Sequence, residues 1–163
     1  MAENSIVLGM ADLCVLRAPV KLITLGLGSC IGLVVYDATA KVAGMAHIML
    51  PNSRGLMGTE KVGKFADTAV PRIIDDMLRL GALKNRIRAK IAGGAQMFSL
   101  PGMSADFLTV GAKNVSETMQ RLRRMGIAVA AADTGGNKGR TIEFSTSNWM
   151  LKVKTLGKGI KEI

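Results

Sequence analysis

Histidine is nearly absent from this chain of 163 residues: there is one, His47, beside two cysteines, Cys14 and Cys30. A protein-held zinc site needs three or four ligands at paired spacings such as CxxC or HExxH. None of these spacings is present, so neither a metal nor another cofactor is expected. Two cysteines are also too few for a disulfide framework. Aromatics are scarce, at four Phe with Tyr36 and Trp149, and none sits in a basic-aromatic stacking motif of the kind that binds single-stranded nucleic acid. Long apolar runs are missing too. The longest uncharged stretches, Leu22–Tyr36 and Ile91–Ala105, are interrupted by glycines and fall short of the roughly 18 residues of a spanning helix, so no membrane insertion is expected. The opening Met1-Ala2-Glu3-Asn4 has no basic or apolar leader character, which predicts a protein of the reducing cytoplasm.

What is present suits a core. Apolar residues make up 48% of the chain and charged residues 21%, a composition far from that of disordered segments, and the length predicts a single domain over residues 1–163. The net charge of +10 is uneven. In the first 50 residues Arg17, Lys21 and Lys41 balance Glu3, Asp12 and Asp37, so the whole excess lies beyond them. Such a surface either keeps the protein soluble or attracts polyanions, and charge alone does not choose among nucleic acid, lipid and an acidic protein.

Short β-branched segments, Ser5–Met10, Asp12–Arg17 and Val20–Leu25, predict an antiparallel start. Apolar residues recur at helical spacing through Glu60–Leu80, with Pro71 expected to break or kink the pattern or to begin a second segment, and the better helix to follow it. Asn114 and Glu117 have capping-box spacing ahead of Val115, Met119, Leu122 and Met125, with Gly126 as a stop. Further strands are expected at Arg88–Ala92, Ile127–Ala132, Thr141–Ser145 and Trp149–Thr155. The sum is an α+β fold in which about two helices cover a largely antiparallel or mixed β-sheet.

The informative region runs from Thr24 to Leu50. The run Leu25-Gly-Leu-Gly-Ser-Cys-Ile-Gly lacks the Lys-Ser/Thr of a P-loop and opens no helix. It is followed by two apolar segments around the polar turn Asp37-Ala-Thr-Ala40, a hairpin pattern. With a two- or four-residue loop centred between Ala38 and Thr39, Tyr36 faces Lys41 and Cys30 faces His47. Directly opposed side chains share a sheet face, about 4.5–5.5 Å apart at Cβ, and a slip of one residue would separate them. A thiol beside an imidazole is a minimal nucleophile and base, and a neighbouring imidazolium or backbone N–H groups would lower the thiol pKa. The glycines before Cys30 then permit close approach of substrate, with N–H groups around Gly28, Ser29 and Cys30 as an oxyanion hole. The plainer alternative is an inert buried cysteine and a satisfied core histidine, and for Cys14, flanked by apolar strand residues, that alternative is preferred.

The segments Thr24-Leu-Gly-Leu-Gly-Ser-Cys30 and Gly44-Met-Ala-His47-Ile-Met-Leu-Pro51 resemble the CheD family of chemoreceptor glutamine deamidases. The resemblance continues through Lys64-Phe-Ala-Asp-Thr-Ala69, Lys90-Ile-Ala-Gly-Gly-Ala-Gln-Met-Phe98, Gly111-Ala-Lys-Asn114, Asp133-Thr-Gly-Gly-Asn137 and Gly139-Arg140. It implies a cysteine hydrolase of the fold shared with deamidating bacterial toxins, with Cys30 as nucleophile, His47 as base and Thr24 orienting the imidazole. The implied reaction converts receptor glutamine to glutamate through a thioester, and the implied partners are chemoreceptor cytoplasmic helices and a CheC-type phosphatase. Pro71 and a long apolar stretch at Ser99–Thr109 depart from the family pattern. A non-catalytic adaptor that binds receptor and phosphatase is the alternative, and a basic nucleic-acid binder rests on charge alone.

Overall fold

A computed structural model describes residues 2–54, 56, 60–97 and 110–163. The Ser99–Thr109 stretch lies outside the described residues. Ten strands are described: β1 Asn4–Leu8, β2 Leu13–Arg17, β3 Val20–Leu27, β4 Ile31–Asp37, β5 Val42–Ile48, β6 Arg88–Gly93, β7 Ala128–Thr134, β8 Arg140–Ser145, β9 Met150–Thr155 and β10 Gly159–Glu162. Among the described residues two α-helices, α1 Ala66–Arg79 and α2 Val110–Arg124, and a 3-10 turn at Val62–Lys64 accompany them.

The strands form two mixed sheets, ordered β1-β3-β8-β9-β10 and β2-β5-β4-β6-β7. One apolar cluster lies between the sheets, joining Leu22, Leu27, Ile142 and Phe144 to Val34, Met45 and Ala92. A second joins the other face of the β2-β5-β4-β6-β7 sheet, through Leu33, Val35 and Ala46, to Ile73, Ile74 and Met77 of α1 and Leu122 of α2. The helices thus cover one sheet and the second sheet covers its back. This layering is why β5 is buried along its whole length whereas β3 begins with alternating buried and half-buried residues: a strand covered on both faces reads as a continuous apolar run.

The antiparallel start is corrected. β1 and β3 pair parallel, Leu8 opposite Thr24, and β2 lies in the other sheet against β5. The chain changes sheet at a tight turn in which Ala11 adopts φ 67° and the Asp12 carboxylate accepts the Gly9 N–H at 2.8 Å. The placement of the helix after Pro71 is corrected as well, because α1 begins at Ala66 and is continuous through Pro71. Its ring lies on the exposed side, where the Asp67 carbonyl that loses its helical donor can meet water, while Ala66, Ala69, Val70, Ile73, Ile74 and Met77 are buried at helical spacing.

Candidate functional site

The β4–β5 hairpin sets the site. Asp37 pairs with Val42, closing a four-residue loop Ala38–Lys41 in which Lys41 takes φ 58° and Asp37 Oδ1 accepts the Ala40 N–H at 3.0 Å. The loop centre is one residue later than the sequence predicts, so the register moves by two: His47 faces Gly32, not Cys30. An even shift keeps the sheet face. Cys30, however, precedes β4 and lies past the last rung of the ladder, Ile31–Ile48, so it has no cross-strand partner in β5. The directly opposed position is a glycine for a packing reason, since a Cβ on Gly32 would overlap Ile142 Cδ1 and stand 2.9 Å from Leu27 Cδ1.

His47 is 1% exposed. Its backbone is tied to the β1–β2 turn, donating to Asp12 O and accepting from Ala11 N, both at 3.0 Å. The ring reaches the other sheet, with Nδ1 2.7 Å from Thr24 Oγ1, and Thr24 Oγ1 donates to Leu8 O at 2.8 Å. A threonine hydroxyl has one proton. With that proton on the Leu8 carbonyl, Oγ1 accepts from Nδ1–H, and the lone pair of the neutral ring is on Nε2. Among the described residues Nε2 has no hydrogen-bond partner.

The backbone around Cys30 is held on its carbonyl side. Gly28 O accepts from Ala95 N at 2.8 Å and Cys30 O from Gly94 N at 2.9 Å, while Ser29 O accepts from Asn114 Nδ2 at 2.9 Å. The Gly28 N–H is itself engaged with Gly26 O at 3.1 Å. This removes Gly28 as an oxyanion donor and narrows that expectation to the Ser29 and Cys30 amides. Cys30 lines a cleft of about 430 Å³ whose walls include Met49, Leu50, Met97 and Val110, with Lys64 also on the lining. His47 is not among the lining residues and is buried.

Burial shifts both groups. It pushes the Cys30 thiol up from its ordinary value and the His47 imidazole down, an effect the Asp12 carboxylate partly opposes. Desolvation disfavours both charged forms, a direction opposite to that of a thiol acidified by an imidazolium. Cys14, opposite Met45 in β2, is pushed up to about 11, chiefly by burial, in keeping with an inert strand residue.

Comparison with known proteins agrees with the resemblance. Residues 49–155 match the family described as CheD chemotactic sensory transduction. A probable chemoreceptor glutamine deamidase CheD of Caldanaerobacter subterraneus subsp. tengcongensis is 47% identical over 163 residues, all of both chains. The chain belongs to the CheD family. Proteins of the same name from Clostridium novyi and from Desulfitobacterium hafniense strain DCB-2 are 45% identical over all of both chains and 49% identical over 99% of each. The matched family segment begins after Thr24, Cys30 and His47, whereas the full-length CheD relatives span them.

In this CheD-family chain one residue of the site was read from sequence as something else. Asn114 lies inside α2 and is buried, not at its N-terminus, so the capping-box reading is corrected. The spacing to Glu117 is real, but Glu117 pairs with Arg121 at 2.7 Å, one turn onward, and the Asn114 amide turns inward to Ser29 O and Met49 O. No periodicity or composition signal pointed to those partners. Among the described residues there is no group of three or more His, Cys, Asp or Glu that could hold a metal, and no helix is long and apolar enough to cross a membrane.

Proposed function

We propose that this chain hydrolyses the side-chain amide of specific glutamines in chemoreceptor cytoplasmic helices to glutamate, with Cys30 as nucleophile, His47 as general base and acid, and Thr24 as the residue that orients the imidazole. The observation that carries the reading is the Leu8–Thr24–His47 chain of hydrogen bonds, at 2.8 and 2.7 Å, which leaves Nε2 without a partner among the described residues, on the strand that pairs with the one Cys30 leads into. The name carried by the full-length relatives supports the substrate.

Starting from two neutral groups, the thiol proton moves to His47 Nε2 as Sγ attacks the carboxamide carbon, so a free thiolate need not accumulate. The Ser29 and Cys30 N–H groups receive the developing oxyanion. The imidazolium returns its proton to the departing nitrogen, the C–N bond breaks, and ammonia leaves a thioester on Cys30. Water then gives a proton to His47 and attacks the thioester carbon, releasing glutamate and regenerating the thiol. Throughout, Nδ1–H keeps its bond to Thr24, which stabilises the transient imidazolium. The apolar walls at Met49, Leu50, Met97 and Val110 suit the methylene stem of glutamine. A chain acting on such helices works in the cytoplasm, as one domain, and the resemblance adds a CheC-type phosphatase as second partner.

The test is conversion of glutamine to glutamate in receptor cytoplasmic fragments, followed by mass spectrometry with parent and Cys30→Ala proteins. Parent activity and a folded, inactive Cys30→Ala support the reading. Equal conversion by both removes Cys30 as nucleophile, and receptor binding without conversion by either favours the adaptor.

A further inference from the structure

Beyond the pair Ile31–Ile48 the β4–β5 ladder ends, and Met49 and Leu50 turn away, donating their N–H groups to Lys64 O at 2.8 and 3.0 Å. The proposed nucleophile stands just past that last rung, on backbone that the hairpin no longer pairs. The gap is spanned by one side chain. Asn114 Nδ2 donates to Ser29 O at 2.9 Å and to Met49 O at 3.0 Å, the carbonyls of the residue before Cys30 and of the second residue after His47. Both partners can only accept, so the nitrogen is the atom that faces them.

The helix that carries Asn114 is seated close. A Cβ on Gly111 would come within 2.5 Å of Ala95 O and 2.6 Å of Gly94 O, so only glycine lets α2 lie against the segment whose amides hold Cys30 O and Gly28 O. Asn114 Oδ1, in contrast, is buried without a partner among the described residues. A half-satisfied carboxamide is a poor way to stabilise a core, where an apolar side chain of similar volume would do as well or better. What the amide supplies is distance and angle between two backbones that otherwise diverge.

We infer that Asn114 is a positioning residue for the deamidation reaction, setting the separation of Cys30 Sγ and His47 Nε2 through the Ser29 and Met49 carbonyls without touching substrate. The inference rests on the Cys30 and His47 reading above. Misplacement of a reacting pair by an ångström costs up to about 100-fold in rate, so the expected effect falls on kcat while KM stays within about twofold.

The experiment measures three properties of the full chain and of Asn114→Leu and Asn114→Asp: thermal stability, kcat and KM on receptor fragments, and the pH dependence of Cys30 alkylation by iodoacetamide. The leucine variant removes both donors. The aspartate variant keeps the shape and is the safeguard if leucine does not fold, since its carboxyl turns an acceptor toward two carbonyls until it is protonated. The expected result is folded protein, a kcat at least about tenfold lower, slower Cys30 alkylation near neutral pH, and for Asn114→Asp a deficit relative to parent that shrinks as the pH is lowered and one donor returns. Folded variants with parental kcat and alkylation profile overturn the inference. So does a loss of activity no larger than the loss of folded protein. If Cys30→Ala converts glutamine as fast as the parent, the nucleophile reading has failed and takes this inference with it, whereas an inactive Cys30→Ala with a fully active Asn114→Leu overturns the positioning role alone.

Discussion

Replacing Thr24 by valine removes one hydroxyl and almost no volume, and the structure says what that hydroxyl does. Its oxygen accepts from His47 Nδ1 at 2.7 Å and its proton goes to Leu8 O at 2.8 Å. All three residues are buried, so water does not replace the lost partner. A buried polar group left unpaired costs about 1–3 kcal/mol, and both the Leu8 carbonyl and the imidazole Nδ1 lose their bond to this hydroxyl. A net loss of about 2 kcal/mol lowers Tm by roughly 4–8 °C for a chain of this size. Catalysis is damaged because nothing then holds the proton on Nδ1, and a ring with its proton on Nε2 cannot accept one from Cys30. General-base catalysis contributes about 10²–10⁴-fold. With both tautomers still interconverting, kcat is expected to fall about 10–100-fold, less than on removal of Cys30. Thr24→Ser keeps the hydroxyl and is expected to retain most of the activity. Thermal unfolding followed by circular dichroism and glutamate formation on receptor fragments measure both effects. A Thr24→Val protein that melts within about a degree of the parent and turns over as fast would refute the hydrogen-bond chain as the source of the tautomer.

Further outcomes follow from the same geometry. His47 is held below its ordinary value of 6.5 by burial, so the unfolded chain binds the proton more readily, and the neutral ring's contribution to stability, present above about 6.5, is lost as pH falls toward the folded value. The acid limb of kcat/KM should lie below 6.5 for the same reason. Asp12→Asn removes the carboxylate that raises the imidazole and should move that limb to still lower pH, while the loss of its exposed 2.7 Å bridge to Lys61 has little effect on Tm; a limb that stays or rises contradicts the assignment. Gly32→Ala forces a Cβ against Ile142 and Leu27 and should cost about 1–3 kcal/mol by overpacking, read as a lower urea midpoint, with an unchanged midpoint counting against the described packing. Iodoacetamide should label Cys30, which lines the cleft, before Cys14, whose thiol is pushed up to about 11, and peptide mapping that finds equal rates would contradict this.

Several features were legible before any coordinates. Strands from β2 to β9 lie within a few residues of where β-branched and apolar runs placed them, because such runs suit pleated, half-buried backbone, and α1 and α2 follow their apolar spacing. The short, exposed β10 carries no apolar alternation and was not expected. Pro71 misled because a sequence does not show which face of a helix will be exposed. The split into two sheets was equally hidden, since runs such as Ser5–Met10 and Asp12–Arg17 carry no mark of which edge they will join.

The chemistry divides along the same line. Local pattern determined that Cys30 and His47 belong to one hairpin region, but their direct opposition was displaced by the four-residue loop with Lys41 at φ 58°, which pairs His47 with Gly32. Tertiary structure alone decided what surrounds the two residues. Thr24 meets Nδ1 only because two sheets pack face to face, and Asn114 reaches Ser29 and Met49 only because α2 lies against Gly94 and Ala95. The directions in which burial pushes the Cys30 thiol and the His47 imidazole come likewise from desolvation, a property of the assembled core that no spacing of residues along a chain contains.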